Sequence, residues 1–176
     1  MYKVYKFFLI FFFLISTICL TQAEELKIYY VDIDKIIAES NVGKKVNKSL
    51  DKLIKKKNNE FKKTEEDLKK KDTELVKQKN ILSKEEFTKK LKALEADIKN
   101  YRTEKNNFNK NIGQKKLKAT SEMVVYLNRI LGKYAKDNSA SLIIQKKNIV
   151  IGKTEMDITK PILEIFNKEV KDVKLN

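Results

Sequence analysis

Residues 44–136 contain no proline, and their apolar side chains recur at heptad spacing. Ile54, Phe61, Leu68, Leu75 and Leu82 stand seven apart. Phe87, Leu91, Leu94, Ile98, Tyr101, Phe108 and Ile112 then follow in steps of four and three, with one step missed at Lys105. That spacing keeps a narrow stripe turned toward a partner helix, so the stretch reads as coiled coil. The pattern breaks at Ser83. A Ser with Glu three residues on is a capping box, in which hydroxyl and carboxylate satisfy orphan backbone N–H groups at a helix start. Leu82 and Phe87 flank it as a hydrophobic staple. The break predicts two antiparallel helices with a tip near 80–84, each arm about 60 Å long at ~1.5 Å per residue. The competing reading is one unbroken helix with an incidental Ser-x-x-Glu.

The start of the chain reads as an address. Lys3 and Lys6 precede a wholly apolar run from Phe7 to Ile15, and Thr21-Gln22-Ala23 resembles a small-residue cleavage site. Residues 1–23 are therefore expected to be a cleaved signal peptide, the apolar run being short for a membrane span of about 20 residues. An uncleaved anchor is the alternative. Cys19 lies inside this segment and is the chain's single cysteine. The mature part thus has no thiol chemistry and no disulfide, in a compartment that would permit one. A lysine-rich exported chain without cysteine suits the periplasm.

Charge divides the mature chain in two. Positions 44–136 hold 28 basic and 13 acidic residues, a net of +15, whereas 24–43 with 137–176 hold 9 and 11, a net of −2. A cationic arm on a near-neutral body implies an anionic partner at the arm. Charge that merely kept a thin coiled coil soluble would not need a two-to-one excess of one sign.

Residues 24–43 and 137–176 are expected to form one small body. Leu26 to Ile33 reads as a strand apolar on both faces and so buried on both. Asp34 is expected to cap a short helix. Met123, Leu127, Ile130 and Tyr134 share a helix face where the return arm enters the body. Leu142 to Ile144 and Ile149 to Ile151 are expected as strands joined by a turn at Lys146-Lys147-Asn148. Thr159 is expected to cap a last helix with Pro161 in its first turn. The first strand has no early partner and must pair more than 100 residues downstream. The fold class is α+β, a long antiparallel helical hairpin projecting from a small β-containing body. The expected core of that body, and of an oligomer built on it, is Ile28, Tyr30, Val31, Leu142, Ile144, Ile149 and Ile151. So small a body is marginal alone, and the outgoing arm has one apolar residue per heptad where a self-sufficient coiled coil has two. Both point to oligomerisation.

Much chemistry is excluded. The chain has no His, so neither a familiar zinc site nor a Ser-His or Cys-His pair can be built, and no glycine-rich phosphate loop is present. Asp32-Ile33-Asp34 at a strand end resembles a phosphatase pair, but the companion motifs are missing. The chain is not expected to be an enzyme or to carry a cofactor. Nucleic acid is not an expected partner either: Arg102 and Arg129 are the only arginines, whereas phosphate and base recognition favours arginine's fork. Lys77, Lys79, Lys84, Lys89 and Lys90 gather around the tip and would present charge to an acidic partner or to an anionic lipid or lipopolysaccharide surface. The bland reading of these five is a solvated helix face.

Taken together, the chain resembles the Skp/OmpH family of periplasmic chaperones over essentially its mature length. The resemblance is carried by Lys27-Ile28-Tyr29-Tyr30-Val31-Asp32, by Ser40-Asn41-Val42-Gly43-Lys44-Lys45 leading into the arm, by the hairpin length, and by Leu142-Ile143-Ile144 followed by Asp157-Ile158-Thr159 and a final helix. It implies a homotrimer with a shared barrel-like body and hairpins hanging around a cavity. It also implies an ATP-independent holdase that keeps unfolded outer-membrane proteins from aggregating and delivers them toward outer-membrane assembly. Phe61, Leu68, Leu75, Phe87, Leu94, Tyr101 and Phe108 are read first as filling the hairpin seam and second as touching a client. The arm departs from the family in having almost no arginine, which puts any arginine-dependent lipid site in doubt. The alternative is a structural coiled-coil protein of the envelope that links membrane or cell-wall components.

Overall fold

The computed structural model describes residues 26–175; the expected signal segment, residues 1–23, lies outside them. The chain runs β1 (Ile28–Val31), α1 (Ile33–Glu39), α2 (Asn41–Gln78), α3 (Lys84–Asp137), β2 (Leu142–Gln145), two single 3₁₀ turns (Lys146–Asn148 and Thr154–Met156) and α4 (Thr159–Glu169). The two long helices form the hairpin, and the remaining elements close around its root.

Caps set the sharp corner at that root. Asp32, not Asp34, caps α1: its Oδ1 accepts from the Lys35 N–H at 2.9 Å. Asp34 sits one position inside the helix, where its charge instead meets the positive end of the helix dipole. Ser40 caps α2, its Oγ accepting from the Gly43 N–H at 3.0 Å. The long helix therefore starts at Asn41, ahead of the heptad stripe that marks it in the sequence. Gly43 is required here by close approach, since a Cβ would collide with the Ile37 carbonyl oxygen of α1. At the far end Ser83 caps α3 with the capping box complete, Glu86 N–H to Ser83 Oγ and Ser83 N–H to Glu86 Oε2 both at 3.3 Å. That reciprocal pair ends the unbroken-helix alternative.

β1 and β2 pair in parallel, Ile28 opposite Leu142 through Val31 opposite Gln145. Parallel strands need a long crossover, and here the whole hairpin is the crossover. The expected third strand does not form. Residues 146–148 make a 3₁₀ turn, residues 149–153 are irregular, and after the second 3₁₀ turn at Thr154–Met156 only Asp157 forms a single bridge to Tyr30. The reason lies on Tyr30. Its hydroxyl donates to the Lys153 carbonyl at 3.1 Å, and a Cβ at Gly152 would lie 2.9 Å from its ring, so the segment folds over the ring instead of extending beside β2.

Apolar spacing near the root fills one continuous core. Val42, Val46 and Leu50 come from α2; Ala119, Met123, Leu127 and Ile130 from α3; Ile162 and Phe166 from α4; Val31 and Ile36 complete it from β1 and α1. Tyr134, at the end of the α3 stripe, meets Tyr29 edge-on at 6.2 Å, and burial pushes its phenol pKa up. Thr159 does not cap α4. It is the first residue of the helix, and its Oγ1 accepts from the Asp32 N–H at 2.9 Å, tying the last helix to the end of the first strand.

Candidate functional site

The candidate surface is the hairpin beyond Leu50, where the molecule thins to two helices. Phe61 (4% exposed), Leu75 and Leu94 are buried between them, while Ile54, Leu68, Ile98, Tyr101, Phe108 and Ile112 are half-buried. These side chains fill the seam. Leu91 is exposed and does not. The densest point is aromatic. Phe61 meets Tyr101 at 5.9 Å and Phe108 at 5.8 Å, both edge-on, and the Lys57 ammonium lies 5.0 Å from the Phe61 ring centroid. Rings prefer this geometry because a positive edge meets a negative face.

Polar rungs fix the register of the arms. Lys57 reaches Glu104 at 2.6 Å and Lys71 reaches Asp97 at 2.7 Å. Tyr101 donates to Glu65 at 3.1 Å and Lys90 to Gln78 at 2.8 Å. Hydrogen bonding to Glu104 raises the Lys57 pKa, and hydrogen bonding to Asp97 raises that of Lys71. Exposed pairs of this kind contribute little stability; what they supply is alignment. Between the rungs the seam is open. A cleft of about 570 Å³ runs along Leu68, Asp97, Asn100 and Tyr101, and another of about 260 Å³ lies nearer the tip beside Leu75 and Leu94.

Lys77, Lys79, Lys84, Lys89 and Lys90 are all exposed. The turn places Lys77 and Lys79 at the end of α2, facing the three others at the start of α3, and the Lys90 contact with Gln78 spans the two sides. Sequence reasoning missed their apolar neighbours. Val76 is 63% exposed and Ile81 is 81% exposed, so the tip is a mixed surface of cations and bare aliphatic side chains. The signal was present: both residues fall off the heptad stripe and so have no place in the seam.

In the body, Tyr30 and Val31 are buried, and Ile28, Ile144 and Ile149 are half-buried. Leu142 is exposed, and Ile151, expected in a strand of the core, is 91% exposed beside Val150 at 97%. Neither Ile149 nor Ile151 belongs to a strand. They lie on the segment that folds over Tyr30, and its outermost residues have nothing among the described residues to pack against.

That segment is held from below. Lys146 Nζ lies 2.7 Å from Asp157 Oδ2, and the Thr159 N–H donates to Asp157 Oδ1 at 2.9 Å. Partial burial works to raise the Asp157 pKa, but the bonds from Lys146 and Thr159 outweigh it and hold the carboxyl below its ordinary value. The Lys146 ammonium is correspondingly raised, chiefly by its hydrogen bond to Asp157. Among the described residues no cluster of His, Cys, Asp and Glu could hold a metal ion, and no helix is long and apolar enough to cross a membrane.

Comparison with known proteins agrees with this architecture. The fold is similar to the crystal structure of a protein from Caulobacter crescentus described as an OmpH-like outer membrane chaperone. The TM-score is 0.76 at 17% identity, covering 85% of this chain and 88% of that one. No curated protein matched in sequence. A family model described as outer membrane protein (OmpH-like) matches residues 27–166. That span takes in both strands, the entire hairpin and α4 to Phe166, and by it the chain belongs to the OmpH-like family.

Proposed function

We propose that this chain is an ATP-independent holdase of the periplasm, exported by cleavage of residues 1–23. It would hold unfolded outer-membrane proteins between its arms, keep them from aggregating and pass them toward outer-membrane assembly. The observation that carries the reading is the hairpin: a two-helix arm with a net charge of +15 on a body that is near neutral. An unfolded barrel protein is apolar along alternate residues and commonly acidic. Cationic arms attract such a chain over distance, and the open seam and the bare Val76 and Ile81 offer many weak apolar contacts once it arrives. Family membership and the chaperone description of the Caulobacter crescentus relative support the same reading.

Three copies would assemble through the body at 24–43 and 137–176, leaving the arms 44–136 to surround the client. Exposed Leu142, Val150 and Ile151 are the apolar surface that such assembly would cover, together with the open edge of β2. The tip lysines Lys77, Lys79, Lys84, Lys89 and Lys90 would make the electrostatic contact with client, and secondarily with an anionic lipid or lipopolysaccharide surface. Holding in this way needs no catalytic residue and no cofactor.

The test is to dilute a urea-unfolded outer-membrane barrel into the protein and weigh the soluble complex by light scattering. Three chains plus one client is the expected mass. A monomer that leaves the client to precipitate would reject the reading in favour of an envelope linker. Replacing the five tip lysines by Gln should weaken client capture most at low salt, where charge is least screened. An unchanged affinity and salt response would remove the tip from the mechanism.

A further inference from the structure

We propose that residues Val170–Leu175, the segment after α4, are a brace that fixes how far the hairpin can swing on the body. The segment leaves α4 in extended conformation at Val170 and runs up the root of the hairpin. Val170 is 3% exposed and Val173 5%, both within the core cluster, and Leu175 packs against its edge. Two lysines take its carbonyls, one from each arm. Lys45 of α2 donates to the Lys171 carbonyl at 3.4 Å, and Lys115 of α3 donates to the Leu175 carbonyl at 3.2 Å. Below, the Asn167 carboxamide oxygen accepts from the Asn41 N–H at 2.8 Å, and the Lys171 ammonium returns to the Asn167 carbonyl at 3.1 Å. One short stretch thus touches both helices of the hairpin and the last helix of the body.

Its level in the molecule gives it leverage. At the root, Val42, Val46 and Leu50 of α2 and Ala119 and Met123 of α3 belong to the same buried cluster as Val170 and Val173. Beyond Leu50, among the described residues, the hairpin has only its own two helices. The change from three packed components to two comes where the brace ends, and a lever bends where its section changes. Any swing of the arms away from α4 has to pull Lys45 and Lys115 off the carbonyls and bare Val173 to water, which is unfavourable in proportion to the apolar area exposed. The family match ends at Phe166, so the whole brace lies beyond what is shared along that span. In the holding function proposed above, arm swing sets the width of the space for client, and the brace would then determine which client sizes fit. The mechanical claim does not depend on that function.

The test reads arm swing without any client. Single cysteines replace Lys147, exposed on the body, and Lys63, exposed on α2 about 33 Å above its start at ~1.5 Å per residue. Cys19→Ser removes the native thiol, and doubly spin-labelled full-length chains are diluted into unlabelled ones so that only distances within a chain are read. Ending the chain after Val170, or Val173→Asp, should broaden the distance distribution about twofold at a temperature where helicity is unchanged. Lys45→Met with Lys115→Met leaves the core intact and should broaden it to a smaller extent, which keeps the test open should either core variant fail to fold. A purely structural role would lower the melting temperature of the variants and leave the low-temperature width alone. That width, unchanged across the variants that fold, would overturn the brace. Client capture kept with a broadened distribution would count against the holding function's dependence on swing, and against the brace not at all.

Discussion

Replacing Phe61 by Ala should open the arm and leave the body closed. Phe61 is 4% exposed and stands at the centre of the Tyr101–Phe108 cluster. Truncating a buried Phe costs about 3–5 kcal/mol, its edge-on ring pairs included. The neighbouring cleft along Leu68 and Tyr101 gives the two helices room to close in, so the low end applies, about 3 kcal/mol. Since each 1.4 kcal/mol is a factor of about ten in an equilibrium constant, local opening should become about 100-fold more frequent. Native-state hydrogen exchange measures it directly. Amides of α2 and α3 flanking Phe61 should exchange about 100-fold faster, or reach the unprotected rate if the arm's own opening energy is below about 3 kcal/mol. Amides around Ile36, Leu127 and Ile162 should keep their parent rates. The reasoning rests on arm and body being separate cooperative units, because between them lies a root where packing changes from many elements to two. Equal acceleration in arm and body would refute that division, and less than tenfold acceleration in the arm would refute the seam role of Phe61.

Two further predictions concern the body. Asp157 is held below its unfolded value near 3.8, so the stability it contributes is complete above that value and is lost as pH falls through its lower folded value. Asp157→Asn should therefore destabilise the protein at neutral pH and flatten the acid limb of the urea-midpoint profile; parallel acid limbs in parent and variant would contradict the ion pair. Ser139, just past the end of α3, has φ +52°, a left-handed conformation that glycine adopts without strain. Ser139→Gly should raise stability by about 1 kcal/mol, read as an upward shift of the melting temperature, and a fall would mean that the serine side chain is itself engaged.

Much of this molecule is written locally. Heptad steps from Ile54 to Ile112 and the capping box at Ser83 specify a helical hairpin because each signal acts within a turn or two of helix. The two-to-one excess of cations over anions on that hairpin needs no coordinates to be seen. Where distant segments compete for one partner, local reading fails. Asp32 and Asp34 are equally able to cap a helix, and the choice of Asp32 follows from where β1 must end to pair with Leu142–Gln145. Ile149-Val150-Ile151 has strand composition, but Tyr30, more than 100 residues earlier, draws the segment over its ring, away from the edge of β2. Val170 and Val173 continue the apolar spacing of α4, yet nothing near them in sequence says that they pack on the hairpin root. The tip surface at Val76 and Ile81 emerges only by subtraction, once the seam is known to be filled by others. Periodicity and caps are properties of neighbours along the chain, so the sequence carries the hairpin openly. The body, the brace and the exposed surfaces arise from closures between segments distant along the chain, 60 residues for Lys115 with Leu175 and 126 for Lys45 with Lys171, whose outcome is settled by which packing excludes the rest.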